Sequence, residues 1–451
     1  MSRACAWSRR RRSRIASSRN SSDKGTDVPK VSIIVTAYDI ERYIAECLGC
    51  ITRQTLEDIE IIVVDDGSGD STPQIIRDFA ARDARIRPIL LPTNSIGGVA
   101  TAANAGMEVA TGDFIGFADG DDRYAPEMFE TLWRAATEAD ADLAMSRYML
   151  LDEADGSLKE PAETERWSPY PRATTLDLTP ATRREILRFI SVPWRKLYRR
   201  DLVERAGLRF PVGDFFFEDN PFHWMAVIEA ERIALVPERL CEHRVARAGQ
   251  TMATVDERLL RIFRHHDIIR DWLDGAGYLD EYRADLLQWV AGQLSWVSMR
   301  AQGGIRRALF DVLVPVIAQY GDEHLADFAA VNGQGRSTQM LRALKARDFA
   351  GFGKAAGWDA KAPGRRPSLL RHGLYHLRHS GLRQTAAMTK RVIVNRLGLR
   401  RQAALRTDLS NEDLMLAMVL LQRELHEIRA ELAALRREVP VSYPAMRRMK
   451  I

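Results

Sequence analysis

From Val31 to Phe117 the chain alternates short, unbroken apolar runs with longer stretches whose apolar residues recur every three or four positions. Val31-Ser-Ile-Ile-Val35, Ile59-Glu-Ile-Ile-Val-Val64, Ile86 to Leu91 and Phe114-Ile-Gly-Phe117 have strand length and lack polar alternation, and most are rich in β-branched residues. Between them lie three helical patterns. The first runs from Arg42 to Arg53, with Tyr43, Ile44, Cys47, Leu48 and Ile51 on one face. The second opens at Ser71-Thr72-Pro73, with proline where the first turn tolerates it. The third is the Ala-rich stretch from Thr101 to Val109. This β-α-β-α-β-α-β order predicts an α/β fold whose mainly parallel sheet has helices on both faces. Such sheets bind ligands at the carboxyl ends of their strands. Three predicted strands end in polar clusters, Thr36 to Asp39, Asp65 to Ser68 and Asp119 to Asp122.

Residues 151 to 181 are rich in charge, Pro and Thr and read as a connecting or flap segment, while 183 to 247 finish the α/β domain. The pattern is helical from Val255 to Phe349, including Trp289 to Met299, and residues 350 to 370 read as a linker. Near the end, Leu414, Met418, Leu421, Leu425, Ile428, Leu432, Leu435 and Val439 alternate spacings of four and three. That heptad predicts a coiled coil and self-association, with one amphipathic helix packed on its own domain as the alternative. The organisation expected is therefore a basic arm (1–29), an α/β domain (30–255), a helical region (256–350), a basic linker or helical segment (351–407), a coiled-coil helix (408–440) and a tail (441–451).

Composition narrows the setting. No apolar run approaches the 18 residues of a spanning helix, and residues 1 to 29 lack the apolar stretch of a secretion signal. Four cysteines argue against a disulfide framework and for a reducing compartment; Cys47-x-x-Cys50 reads as a buried helix face, since no second pair completes a zinc site. A cytoplasmic protein is expected. The basic stretch from Arg365 to Arg401 suits a solvated helix face, the inner surface of a membrane or an anionic polymer. No nucleic-acid partner is expected.

The polar clusters suggest chemistry. Asp119-x-Asp121 at a strand end offers hard oxygen ligands to Mg or Mn, which bind through few protein groups plus substrate phosphates. Asp65-Asp66-Gly-Ser68 is either a cap or turn, or an acceptor for a base imide or a sugar hydroxyl. No G-x-x-x-x-G-K-[ST] and no G-x-G-x-x-G after the first strand occurs, which argues against a P-loop and a dinucleotide cofactor.

Val31-Ser-Ile-Ile-Val-Thr-Ala-Tyr38, Glu60-Ile-Ile-Val-Val-Asp-Asp-Gly-Ser68, Gly112-Asp-Phe-Ile-Gly-Phe-Ala-Asp-Gly-Asp-Asp122 and Phe217-Glu-Asp219 together resemble the family-2 inverting glycosyltransferases of the Rossmann-like GT-A fold. Trp194-Arg-Lys-Leu-Tyr198 and Gly207-Leu-Arg-Phe210 match stretches seen in bacterial members. The resemblance implies a nucleotide-sugar donor, UDP-linked, and a saccharide or polyol-phosphate polymer as acceptor. Thr36, Tyr38 and Asp66 would line the base and ribose; Asp119 would lie near ribose and diphosphate, and Asp121 would coordinate a divalent cation, Mn or Mg. Asp219, with Glu218 beside it, would be the general base. His243 and Arg244 would approach the diphosphate, and Trp194 and Lys196 the acceptor; a basic loop, and a core Trp with an exposed Lys, are the structural alternatives. Two departures stand out: Ala103 and Ile96 occupy positions where relatives carry Arg and Asn.

Two other readings compete. A nucleotidyltransferase would carry a Gly/Arg/Lys-rich loop after the first strand, where this chain has Thr36-Ala-Tyr-Asp-Ile-Glu41. A non-catalytic assembly module would not need the intact acidic motifs.

Overall fold

The computed structural model describes residues 28–213, 216–245 and 257–358. The basic arm before residue 28, the basic stretch 365–401, the heptad helix 408–440 and Arg247 lie outside the described residues.

The first half of the fold follows the apolar pattern. Strands β1 (Val31–Ala37), β2 (Ile59–Asp65), β3 (Ile86–Leu90) and β4 (Phe114–Asp119) alternate with helices α1 (Ile44–Thr52), α2 (Thr72–Ala80) and α3 (Val99–Val109). The strands lack polar alternation because both faces of the sheet are covered. Ile34, Ile62 and Val64 enter one core, and Ile33, Val35, Ile61 and Val63 the other, all fully buried. Each such side chain contributes about 1.5–3 kcal/mol of transfer free energy.

β5 (Arg123–Tyr124), α4 (Met128–Glu138), β6 (Leu143–Asp152), β7 (Leu158–Lys159) and β8 (Thr174–Asp177) follow, then α5 (Pro180–Ile186), β9 (Lys196–Arg199), α6 (Arg200–Arg205), α7 (Asp219–Glu229) and β10 (Arg232–Val245). The described strands form one sheet in the order β3-β2-β1-β4-β9-β6-β10-β5, with β7 on β6 and β8 on β10. Pairing is parallel from β3 through β4 and between β6 and β10; β9 runs antiparallel to both its neighbours. The fold is thus the expected mainly parallel α/β sheet.

The second half departs from expectation in two places. The segment expected to be a connector or flap contributes β7, β8 and a 3-10 turn at Thr164–Trp167 that buries Trp167. The strands β7 and β8 are exposed or half-buried along their length while their backbone groups find partners on β6 and β10, so these strands needed no apolar signal. The linker expected from residue 350 is displaced by α13 (Phe349–Ala355), whose Phe352 is fully buried.

A 3-10 segment (Glu257–Phe263) and helices α9 (Leu279–Arg300), α10 (Gly304–Ala318), α11 (Asp322–Asn332), α12 (Arg336–Lys345) and α13 share a separate apolar core, while α8 (Arg264–Ala276) places Ile269 and Leu273 in a core of the sheet domain. Trp289 of α9 packs against both this core and one core of the sheet domain. No helix among the described residues is long and apolar enough to cross a membrane.

Candidate active site

β2 and β3 lie to one side of β1, and β4 to the other. The chain therefore leaves β1 and β4 in opposite directions, opening a crevice at their carboxyl ends. Thr36 and Asp119 are register partners at that point. The Gly120 N–H donates to Thr36 O at 3.0 Å, and a Cβ on Gly120 would lie 2.8 Å from that oxygen and 2.6 Å from Ile40 Cδ1. Glycine is what lets the acidic loop pass this close to β1.

The loop after β1 is stitched to the loop after β2. Gly69 N donates to Asp39 Oδ1 at 2.8 Å, and Ile40 N to Thr72 Oγ1 at 3.0 Å. Buried Asp66 accepts from Ser95 N (3.2 Å), Ser95 Oγ (3.1 Å) and Asn94 Nδ2 (3.2 Å), which ties in the loop after β3. Burial pushes its pKa up. Thr36 is nearly buried, whereas Tyr38 stands exposed beside the crevice.

Past β4 the acids crowd together. Buried Asp122 accepts from His243 Nδ1 (2.8 Å) and from Arg244 N (2.8 Å) on β10. Burial raises the Asp119 carboxyl well above the ordinary carboxylate range, and Asp122, Asp121 and Glu218 add to the rise. Burial opposes charge on His243, yet Asp122, Asp119 and Asp121 together push its pKa up to about 9. Ligand atoms of Asp119, Asp122 and His243 lie within 4.8 Å of one another. Two hard carboxylates, an imidazole and an excess of negative charge suit Mn or Mg. A carboxylate on one ring nitrogen is also the usual means of orienting a metal-binding histidine.

The opposite wall begins at β9, whose antiparallel pairing with β4 brings Lys196 to the same rim. Phe117 of β4 packs edge-on against Phe222 of α7 at 5.9 Å, one turn beyond Asp219. Asp219 accepts from Asn220 Nδ2 at 3.1 Å and from the Ser191 hydroxyl, and it is attracted by Lys196. Burial nonetheless raises its pKa. Burial and the neighbouring Asp219 raise Glu218 to about 7.

The structure brings most of the expected residues to one rim and gives three of them close protein partners. Trp194 is only 2% exposed and stacks on His243. Lys196 is no exposed lysine: it is buried, donates to Ser191 O at 2.9 Å and sits 3.2 Å from His223 Nδ1. Arg244 is buried and engaged by protein groups. Its guanidinium bonds to Glu153, to Glu46 Oε2 (2.8 Å) and to Asp121 O (2.9 Å), and lies over the Tyr43 ring. It latches β10 to α1 and to the acidic loop. Ala103, where relatives carry Arg, is buried in the core behind β1, and Ile96 is 77% exposed. The sequence reading did not single out Asp122, Asn220 or Trp289; the third carboxylate of Asp-x-Asp-Asp was the one available signal.

The profile described as Glycosyl transferase family 2 matches residues 32–206. The protein named "Uncharacterized glycosyltransferase EpsJ" of Bacillus subtilis (strain 168) is 40% identical over 223 residues, 48% of this chain and 61% of its own. Glycosyltransferase GlyG of Streptococcus pneumoniae is 40% identical over 127 residues, 28% of this chain and 42% of its own. The chain thus matches about three fifths or less of the length of these curated relatives. Among solved structures, S. aureus TarS 1-349 in complex with UDP-GlcNAc superposes with a TM-score of 0.61 at 20% identity, covering 75% of this chain and 93% of that one. At that identity the likeness is one of fold. Motifs, strand order and family profile agree: residues 32–206 match glycosyl transferase family 2, and the sheet has a GT-A-like fold.

Proposed function

We propose that the chain transfers a sugar from a nucleoside diphosphate sugar, UDP-linked, to a hydroxyl of a saccharide or polyol-phosphate acceptor. The anomeric carbon inverts, and the product belongs to a bacterial cell-surface or wall polysaccharide. The observation that carries this reading is that β4, which ends at Asp119, and α7, which begins at Asp219, pack together through Phe117 and Phe222, with ring centroids 5.9 Å apart.

Thr36, Tyr38 and Asp66 bind the base and ribose, and Asp119 lies near the diphosphate. Asp219 takes the proton of the acceptor hydroxyl as that oxygen bonds to the anomeric carbon. The bond to the diphosphate oxygen breaks on the opposite face, and the nucleoside diphosphate leaves with its electron pair. A carboxylate whose pKa is raised by burial is a stronger base than an exposed one, which suits this task. A divalent ion would be held by Asp119, Asp122 and His243 with Asp121 beside them; when bound it supplies positive charge against the charge growing on the departing diphosphate. The UDP-GlcNAc complex of TarS supports a uridine donor. The heptad over Leu414 to Val439 supports self-association, and the basic stretch before it a contact with an anionic surface.

The test is a panel of nucleotide sugars with Mn and no acceptor, scored for release of nucleoside diphosphate. Slow, chelator-sensitive release from at least one donor is expected. Pyrophosphate release from a nucleoside triphosphate would point to nucleotidyl transfer, and no binding of any nucleoside diphosphate to an assembly role.

A further inference from the structure

Asn220 stands between the proposed base and the helical region. Its Nδ2 donates to Asp219 Oδ1 at 3.1 Å and to Phe217 O at 2.9 Å, while its Oδ1 accepts from Trp289 Nε1 at 3.0 Å. The opposite amide orientation would set oxygen against two oxygens and an N–H against the indole N–H. Indole nitrogen can only donate, so Trp289 holds the oxygen end of the carboxamide while Phe217 O and Asp219 hold the nitrogen end. Asn220 is only 8% exposed, so bulk water is poorly placed to substitute for a lost partner.

The helical region holds the rest of this loop as well. Phe217 adopts φ +65, a left-handed conformation that costs free energy for a bulky residue, and its ring sits edge-on to Trp296 of α9 at 5.6 Å. His265 of α8 donates from Nε2 to Phe216 O at 2.7 Å. Three contacts from two helices thus fix the residues leading into α7.

We propose that Trp289, acting through Asn220, is a positioning residue for Asp219, which makes the helical region of residues 257–358 part of the transfer site. The proposal rests on the reading of Asp219 as general base. Lys196 and Tyr198 on β9, the Ser191 hydroxyl before β9 and Glu218 on its own loop also face or act on Asp219; His223 of α7 and Arg195 act on it through Lys196. With Lys196 still present, losing the oriented amide shifts the base without abolishing it.

The experiment compares the pH dependence of donor turnover, with Mn present throughout, in the full chain and its Trp289→Phe variant, which keeps a ring but has no N–H. Turnover should fall about tenfold with donor KM unchanged. The acid limb should move up by as much as about one pH unit, because a carboxamide no longer anchored at its oxygen end donates less firmly to the carboxylate. Asn220→Ala reaches the same contact without touching α9 and should give the same displacement, with no further change in the double variant. An unmoved acid limb in both single variants, while Asp219→Asn is inactive, overturns the positioning role alone. Full turnover by Asp219→Asn overturns the base assignment and this proposal together.

Discussion

The Trp194 indole lies flat on the His243 imidazole, centroids 4.8 Å apart and planes 14° from parallel. Tyr148 meets the same indole edge-on at 4.8 Å, so the imidazole is backed by a packed aromatic pair with its Nδ1 aimed at Asp122. A residue expected beside the acceptor instead sets the orientation of a ring in the candidate cation site. Trp194→Ala should therefore weaken Mn binding by about ten- to hundredfold, the range seen when residues that orient metal ligands are removed, while Trp194→Phe retains most of it. Titration calorimetry with Mn measures this. An unchanged Kd in a folded Trp194→Ala protein would detach His243 from the ion.

Asp219→Asn removes the proposed base and keeps nearly the same shape and the contact with Asn220. Turnover should fall by about 10²–10⁴, the usual contribution of a positioned base. Donor affinity should stay within about twofold, because the proposed donor contacts, Thr36, Tyr38 and Asp66, lie on the opposite wall. Parallel measurement of nucleotide-sugar binding and turnover separates the two. Loss of both would make Asp219 a structural residue.

Gly120→Ala tests the close passage of the acidic loop over β1. The added methyl would meet a carbonyl at 2.8 Å and a methyl at 2.6 Å, and the carbonyl belongs to a strand paired on both sides. The loop must yield, moving Asp119, Asp121 and Asp122 outward. A destabilisation of about 1–3 kcal/mol is expected, with a larger loss of Mn affinity than of stability. Urea denaturation and a Mn titration of the same preparation decide it; wild-type values in both would show that the loop has room to spare.

These residues also mark how far the sequence could be read. β1, β2 and β4 were legible because both their faces are buried, which leaves an apolar run with little polar interruption. β7 was not, since Leu158 and Lys159 are exposed and are held to β6 by backbone pairing and the Lys159–Asp152 ion pair. The rim acids were legible because one loop carries Asp119, Asp121 and Asp122. The support of Asp219 was not, because Trp289 lies 69 positions from Asn220. The partners of Arg244 were hidden for the same reason. A cation near the end of the domain suggests a phosphate ligand, but its partners Glu153 and Glu46 lie 91 and 198 positions away.

His265 couples pH to the loop that carries the base. It is fully buried, and burial lowers its pKa to about 4, against 6.5 for an ordinary histidine, so the folded protein holds it neutral with its Nε2–H on Phe216 O. Between pH 6.5 and 4 the unfolded chain binds the proton and the folded chain does not. Stability therefore falls as pH drops through this window, by about 2 kcal/mol between pH 7 and pH 5. His265→Gln keeps an N–H donor but cannot titrate, so its stability should change less over the same interval by about that amount. Other titrating groups act in both proteins, and subtracting one pair of urea midpoints from the other leaves the histidine. Identical pH 7-to-5 changes in the two proteins would mean that His265 is protonated without opening the structure. A smaller change in the variant would identify its burial as an acid-sensitive restraint on the segment leading into Glu218 and Asp219.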